Sequence, residues 1–297
     1  MKKHAYLIMA HNEFNMLKKL LVELDDVRND IYLHIDKKVK NVDEKQFLAC
    51  VRYSKIFFVK KRSIYWGTLS IVKCEIGMLE EATKGNYNYY HLVSGVDFPL
   101  KSQDFIHNYL DDKNLEFIEH YKDGDSGRFF MEKIKYYYPL LKYVGKADNE
   151  GPGFRKKIQR KLAYWQTNIK EFQEKHKVDR TKKYKDITFY KGNQWFSITH
   201  DFACFVLSMK RQVLKMYWLT DGADEFFIPT LAMNSGFADR VSNNSLRSID
   251  WIRGTPYEYS LDDLTELEKS DAFFARKISY ERNPDLVDGL VKYIHGC

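Results

Sequence analysis

Residues 221–225 read DGADE and run straight into the apolar segment FFIPTLAM, so three carboxylates fall within five positions. Such a cluster can cage a metal, cap the first turn of a helix, or hold one carboxylate as a general base beside its neighbours. An EF-hand loop is excluded, because apolar residues follow Glu225 where further oxygen ligands would be needed. Capping alone accounts for one of Asp224 and Glu225. A second acid pair, Asp123 and Asp125 in YKDGDSGR, spells a DxD that can hold a divalent ion on a diphosphate; its glycine-rich, polar surroundings favour a solvated turn. With 41 Asp and Glu, the chain can also supply the paired acids of a hydrolase. The nine histidines form no HExxH, and no GxSxG elbow occurs, so metalloprotease and α/β-hydrolase chemistry lack support.

The elements that must position these groups follow from apolar periodicity. HAYLIMA (4–10), DIYLHID (30–36), KIFFVK (55–60) and YNYYHLVSG (87–95) read as strands. Between them, 13–26, 42–52 and 68–84 carry helical patterns, so the fold class is α/β with a mainly parallel central sheet flanked by helices. In such a sheet the loops at the carboxyl ends of the strands line a crevice. Those loops carry His11 and Asn12, Asp36, the stretch 62–67, and 94–97. Neither GxGxxG nor GxxxxGK[ST] is present, which argues against a dinucleotide-binding unit or a phosphate loop. Later in the chain, 187–199 is strand-like and 200–219 helical, which places DGADE just beyond a helix.

The segment 121–186 departs from this alternation and reads as a basic, Tyr- and Lys-rich insertion in a single domain spanning 1–297, with a GPG break at 151–153. Between 155 and 185 it holds 12 Lys and Arg against 3 Asp and Glu, which suits anionic partners and supplies much of the net charge of +7. Phe154, Ile158, Leu162, Trp165, Ile169 and Phe172 recur at helical spacing. That stripe either packs on the domain or lies on a membrane surface. Nucleic-acid binding would rest on this basic segment alone and is not expected. Four scattered cysteines show neither zinc spacing nor a disulfide framework, and no stretch approaches the apolar length of a membrane span.

Taken in order, AYLIMAHNE, IYLHIDKK, RSIYWGTLSIV, YYHLVSGVDFPLKS, KNLEFIE, GNQWFSIT, DGADEFFIPT and SDAFFARKIS resemble the core-2/I-branching β-1,6-N-acetylglucosaminyltransferase family, which also contains peptide O-xylosyltransferases. The likeness spans residues 5–279. It implies a GT-A-type glycosyltransferase fold, an inverting mechanism, a UDP-sugar donor and no metal cofactor. It also implies that Glu225 is the base and that Arg253 and Lys277 hold the pyrophosphate. Met9, His11, Asp36 and Tyr65 fall around uridine in the same comparison, with Asp97 either a donor-site residue or a turn-former. Glu116 corresponds to a residue that binds acceptor hydroxyls, Trp195 either packs on a sugar or belongs to the core, and Asp224 orients or caps.

These residue types suit the chemistry. A carboxylate takes the proton of an attacking hydroxyl, and fixed cations neutralise the departing diphosphate as a metal would. Neither the disulfides nor the membrane anchor of animal members is expected here, and 121–186 shows little likeness to them. The expectation is therefore a bacterial member, cytoplasmic or peripheral at the inner face of the cell membrane. There it would build a surface polysaccharide on a glycan acceptor, lipid-linked if the basic helix touches the bilayer. The rival from another class is a non-catalytic glycan- or nucleotide-binding protein on the same fold.

Overall fold

The computed structural model describes residues 2–145 and 153–296. Of the expected GPG break only Gly153 lies inside them, at a positive φ of 132° just ahead of a helix; positions 151 and 152 lie outside the described residues. Twelve strands are described: β1 His4–Ala10, β2 Asn29–Ile35, β3 Lys55–Phe58, β4 Tyr89–Ser94, β5 Asp97–Pro99, β6 Glu116–Phe117, β7 Tyr121–Lys122, β8 Tyr190–Lys191, β9 Ser197–Thr199, β10 Val241–Ser242, β11 Arg247–Ile249 and β12 Phe274–Arg276.

The main sheet runs β10-β6-β9-β4-β1-β2-β3. Strands β4, β1, β2 and β3 are parallel, as expected, and β9 is antiparallel to both β4 and β6. β1 and β4 are nearly continuous apolar runs because helices cover both faces of a parallel sheet. Register sets the crevice: Met9 pairs with His34 on one side and Ser94 on the other. The loops leaving β1, β2 and β4 therefore emerge side by side.

Three expected elements change form. The helix over 42–52 shrinks to Lys45–Leu48. Asp25 accepts hydrogen bonds from the backbone N–H of Arg52, Tyr53 and Ser54 at 2.6, 2.9 and 2.7 Å, and these hold the chain extended into β3. The strand expected to end at 95 stops at Ser94, and a turn delivers β5 to a second sheet, β11-β12-β5. The helix over 200–219 divides at Met209 into His200–Ser208 and Lys210–Met216. Arg247 ties the two sheets together by donating to the carbonyls of Leu92, Phe196 and Ser245 at 3.0, 2.9 and 2.6 Å.

At the opposite end from the crevice, three buried histidines are packed together. The rings of His4 and His107 stack at 3.9 Å, His91 Nε2 meets His4 Nδ1 at 3.2 Å, and His107 Nε2 meets Asn29 Oδ1 at 2.9 Å. Burial holds His4 and His91 well below the ordinary imidazole value, and His107 at about 4. Burial likewise lowers His34 to about 4, with its Nε2 accepting the Arg62 amide. The unfolded chain therefore binds more protons than the fold below the free imidazole value. Stability is complete above about pH 6.5 and is lost progressively as pH falls towards about 4. Urea unfolding at a series of pH values between about 7.5 and about 5 should show the midpoint dropping steadily; a flat midpoint would contradict neutral buried imidazoles.

Candidate active site

DGADE folds as a short 3-10 turn, Ala223–Glu225, leading into the helix Phe227–Met233. It is entered through Gly222, whose φ of +69° strains any side chain. The Gly222 N–H donates to the Gly67 carbonyl at 2.8 Å, and Gly67 also has φ +69°. A Cβ on Gly67 would approach Asp221 Oδ1 to 3.0 Å, so the SIYWG loop and DGADE meet through two glycines. The three acids have separate fates. Asp221 pairs with Lys133 at 3.4 Å, Asp224 is buried, and Glu225 is 30 % exposed with its Oε2 3.0 Å from Lys191 Nζ.

Beneath Glu225 lies a buried acid network. Burial first, then the Glu225 charge, pushes Asp224 up to about 7. Glu75, which has no solvent contact, is held well above the usual carboxylate range by burial and then by Asp224. Gln194 Nε2 donates to Glu75 Oε1 at 2.6 Å and touches Met9 Sδ at 3.8 Å. This network joins the end of β1 to DGADE; Gln194 sits in the GNQWFSIT stretch without an expected role, and Glu75 lies outside every quoted motif.

On the β1 and β2 side, His11 is electrostatically coupled to Asp36, Arg276, Lys38 and Lys277, with burial the leading cause of its lowered pKa. Asp36 is buried and accepts from the amides of Lys38 (2.9 Å) and Ile64 (3.3 Å), which fixes the loop that carries Tyr65. The Tyr65 ring faces Lys38 Nζ at 4.9 Å and Lys142 Nζ at 4.8 Å. Asp97 is fully buried and accepts from the Ser94 amide (2.9 Å), the Ser94 hydroxyl (2.6 Å) and Arg276 Nη1 (2.8 Å). It is both turn-former and anchor for a cation.

Three expected placements need correction. Arg253 is matched within its own loop by Asp250, Asp263 (2.5 Å) and Glu266 (3.1 Å) and stacks on Tyr257 at 4.2 Å. The arginine beside His11 is Arg276, adjacent to Lys277 in FARKIS, and sequence reading passed over it. Glu116 is fully buried, accepting from the Thr199 amide (2.8 Å) and hydroxyl (2.7 Å) and pairing with Arg240 at 2.8 Å. It joins β6 to β9 and offers no acceptor contact. The carboxylate of NLEFIE that borders a cavity is Glu119; the cavity, of about 360 Å³, is also lined by Tyr121, Arg128, Asn243, Ser245 and Arg247. Trp195 is 6 % exposed and carries the Arg276 guanidinium over its ring at 4.5 Å, so it belongs to the core.

The cavity and Glu225 are linked, because Tyr121 is the cross-strand partner of Lys191. Asp123 caps the amides of Phe130 (2.5 Å) and Met131 (2.9 Å), and Asp125 that of Lys122 (2.7 Å), which is the turn reading of the DxD. Among the described residues one group of acids and histidines has metal-ligand proximity, His4, His107 and Asp111, at the far end of the sheet. Its two rings lie 20° from parallel, so their lone pairs do not converge on a common point.

The profile of the Core-2/I-Branching enzyme family matches residues 4–269. The chain belongs to this family. It is a family of glycosyltransferases, and the curated relatives say so by name. A human N-acetyllactosaminide β-1,6-N-acetylglucosaminyl-transferase is 24% identical over 96% of this chain and 70% of its own length. The mouse protein of the same name is 22% identical over 96% and 71%. A solved structure of mouse xyloside xylosyltransferase 1, in its apo form, aligns over 93% of this chain and 97% of its own, with 8% identity and a TM-score of 0.38.

The two roles of Glu116 are separable by experiment. Glu116→Ala leaves Arg240 and the Thr199 amide without their partner in a buried site and should cost about 3 kcal/mol of stability. Thermal melting should show a clear drop in Tm, with UDP affinity of the folded protein unchanged. An unchanged Tm with loss of acceptor binding would restore Glu116 as a ligand.

Proposed function

We propose that this family member is an inverting, metal-independent glycosyltransferase. It moves a sugar, N-acetylglucosamine as in the names of its relatives, from a UDP-sugar to a hydroxyl of a glycan. The observation that carries the reading is the position of Glu225: part-exposed, next to the Glu119 cavity through Lys191 and Tyr121, and joined through Asp224, Glu75 and Gln194 to the strand end that bears His11.

In this reading the acceptor hydroxyl enters from the Glu119 cavity, where a carboxylate, amides and a guanidinium can hold sugar hydroxyls. Glu225 takes the proton as that oxygen attacks the anomeric carbon, and the bond to the UDP oxygen breaks on the opposite face. The ion pair with Lys191 holds the Glu225 carboxylate in position until the hydroxyl arrives. Arg276 and Lys277, beside His11, take the pyrophosphate charge, with Arg276 held by Asp97. Tyr65 supplies an aromatic wall for the base. The acceptor is a glycan, lipid-linked in surface-polysaccharide assembly, and the whole chain acts as a single GT-A-type unit.

Glu225→Gln keeps the shape of the side chain and removes the base, so transfer should fall about 100-fold or more while UDP affinity stays within about twofold. Unchanged transfer would sink the assignment, and absence of transfer in the native protein with intact UDP binding would favour a binding protein. Titration of UDP in EDTA and again with manganese should give equal affinity; binding that needs manganese overturns metal independence. Lys277→Ala should weaken UDP about tenfold and Arg253→Ala by less than about twofold. The reverse order would return the phosphate role to Arg253.

A further inference from the structure

The helix Phe154–Lys175 turns much of its apolar stripe outward. Among its described side chains the buried ones are Gln166 and Gln173, Leu162 and Ile169 are half-buried, and the rest of the stripe faces solvent: Phe154 is 82 % exposed, Trp165 51 % and Phe172 60 %, with Ile158 exposed beside them. The glutamines are buried because the segment before the helix is irregular and needs backbone partners. Gln173 Oε1 accepts the Tyr137 amide and its Nε2 donates to the Tyr137 carbonyl, both at 2.9 Å, while Gln166 Oε1 accepts the Leu140 amide at 2.8 Å. Unpaired amides cost more when buried than apolar side chains cost when exposed, so the polar face turns inward.

At about 100° per residue, Phe154, Ile158, Trp165 and Phe172 fall within about 40° of one another. Lys157, Lys161 and Lys175 run along one edge of that stripe. The two acids of the helix, Glu171 and Glu174, lie further round, and Glu174 is paired with Lys170 at 3.3 Å. Exposed rings bordered by lysines and clear of acids complement one kind of surface, an apolar layer roofed with anions. No described helix is long and apolar enough to cross a membrane, so the contact is in the plane of the interface.

We propose that this helix docks the protein on the surface of an anionic phospholipid bilayer, with Phe154, Trp165 and Phe172 inserted between headgroups and the lysine edge on the lipid phosphates. The docked face is mechanically tied to the crevice. The glutamine-clamped segment continues into Lys142, which stands over the Tyr65 ring, and Lys170 pairs with Glu132 at 2.6 Å, next to the Lys133 that holds Asp221. The inference does not depend on the transferase reading and stands or falls separately from it.

The test is co-sedimentation of the full chain with vesicles of phosphatidylcholine alone and of phosphatidylcholine containing roughly one-third phosphatidylglycerol, at low and high salt. Binding should appear with the anionic vesicles, weaken with salt, and fall about tenfold or more in a Phe154→Ser, Trp165→Ser, Phe172→Ser variant. The three residues are exposed, so the variant should keep its Tm and its UDP affinity, which confirms that it is folded. A Lys157→Glu, Lys161→Glu variant should lose the anionic preference. No binding to anionic vesicles, or binding indifferent to the aromatic substitutions, overturns the proposal. So does a lipid-free dimer that the aromatic substitutions dissolve, since the stripe would then be covered by a second copy.

Discussion

A carboxylate without solvent contact must be matched by donors, and Asp97 finds them where the two sheets meet. Ser94, the last residue of β4, supplies two; Arg276, the last residue of β12, supplies the third. That arrangement closes the turn after β4, sets the antiparallel pairing of β5 with β12, and holds the Arg276 guanidinium between Asp97 and the Trp195 ring. Lys277 follows directly, within electrostatic reach of His11. One buried charge thus aligns the second sheet with the crevice of the first.

The other half of the crevice rests on buried acid. Glu75 and Asp224 are carboxyl groups that burial disfavours as anions, and each leaves one oxygen without a hydrogen-bond partner among the described residues. Gln194 fixes Glu75 and reaches Met9, so the floor beneath Glu225 is continuous with β1. Glu225 differs from Asp224 by its exposure and by Lys191, whose pKa burial pulls down while the Glu225 carboxylate and Tyr121 together raise it above the ordinary value. Adjacent acids in one short turn therefore have opposite characters, one a buried group and one an ionic partner open to the crevice.

Polar satisfaction also explains where apolar patterning misleads. In 154–175 two glutamines take the inner face because the chain at 137–140 presents free amides. In 42–52 an aspartate takes three consecutive amides and ends the helix early. In both places a side chain distant in sequence satisfies backbone groups that local propensity would assign to a helix or to solvent.

The four parallel strands, the helices between them, the loops that carry His11, Asp36 and Tyr65, and the position of DGADE beside a helix were legible in the sequence, because two-sided burial writes long apolar runs and helical spacing into the chain itself. Likeness of ordered motifs also pointed to the family. What only the tertiary structure decided was which member of each charged cluster faces the crevice. Arg276 and Arg253 both sit in suitable motifs, and so do Glu119 and Glu116. Their roles differ because Asp97 holds the first arginine near His11 while three local acids take up the second, and because Thr199 and Arg240 enclose Glu116 while Glu119 borders a cavity. Those partners lie up to 179 residues away, and no local pattern encodes them.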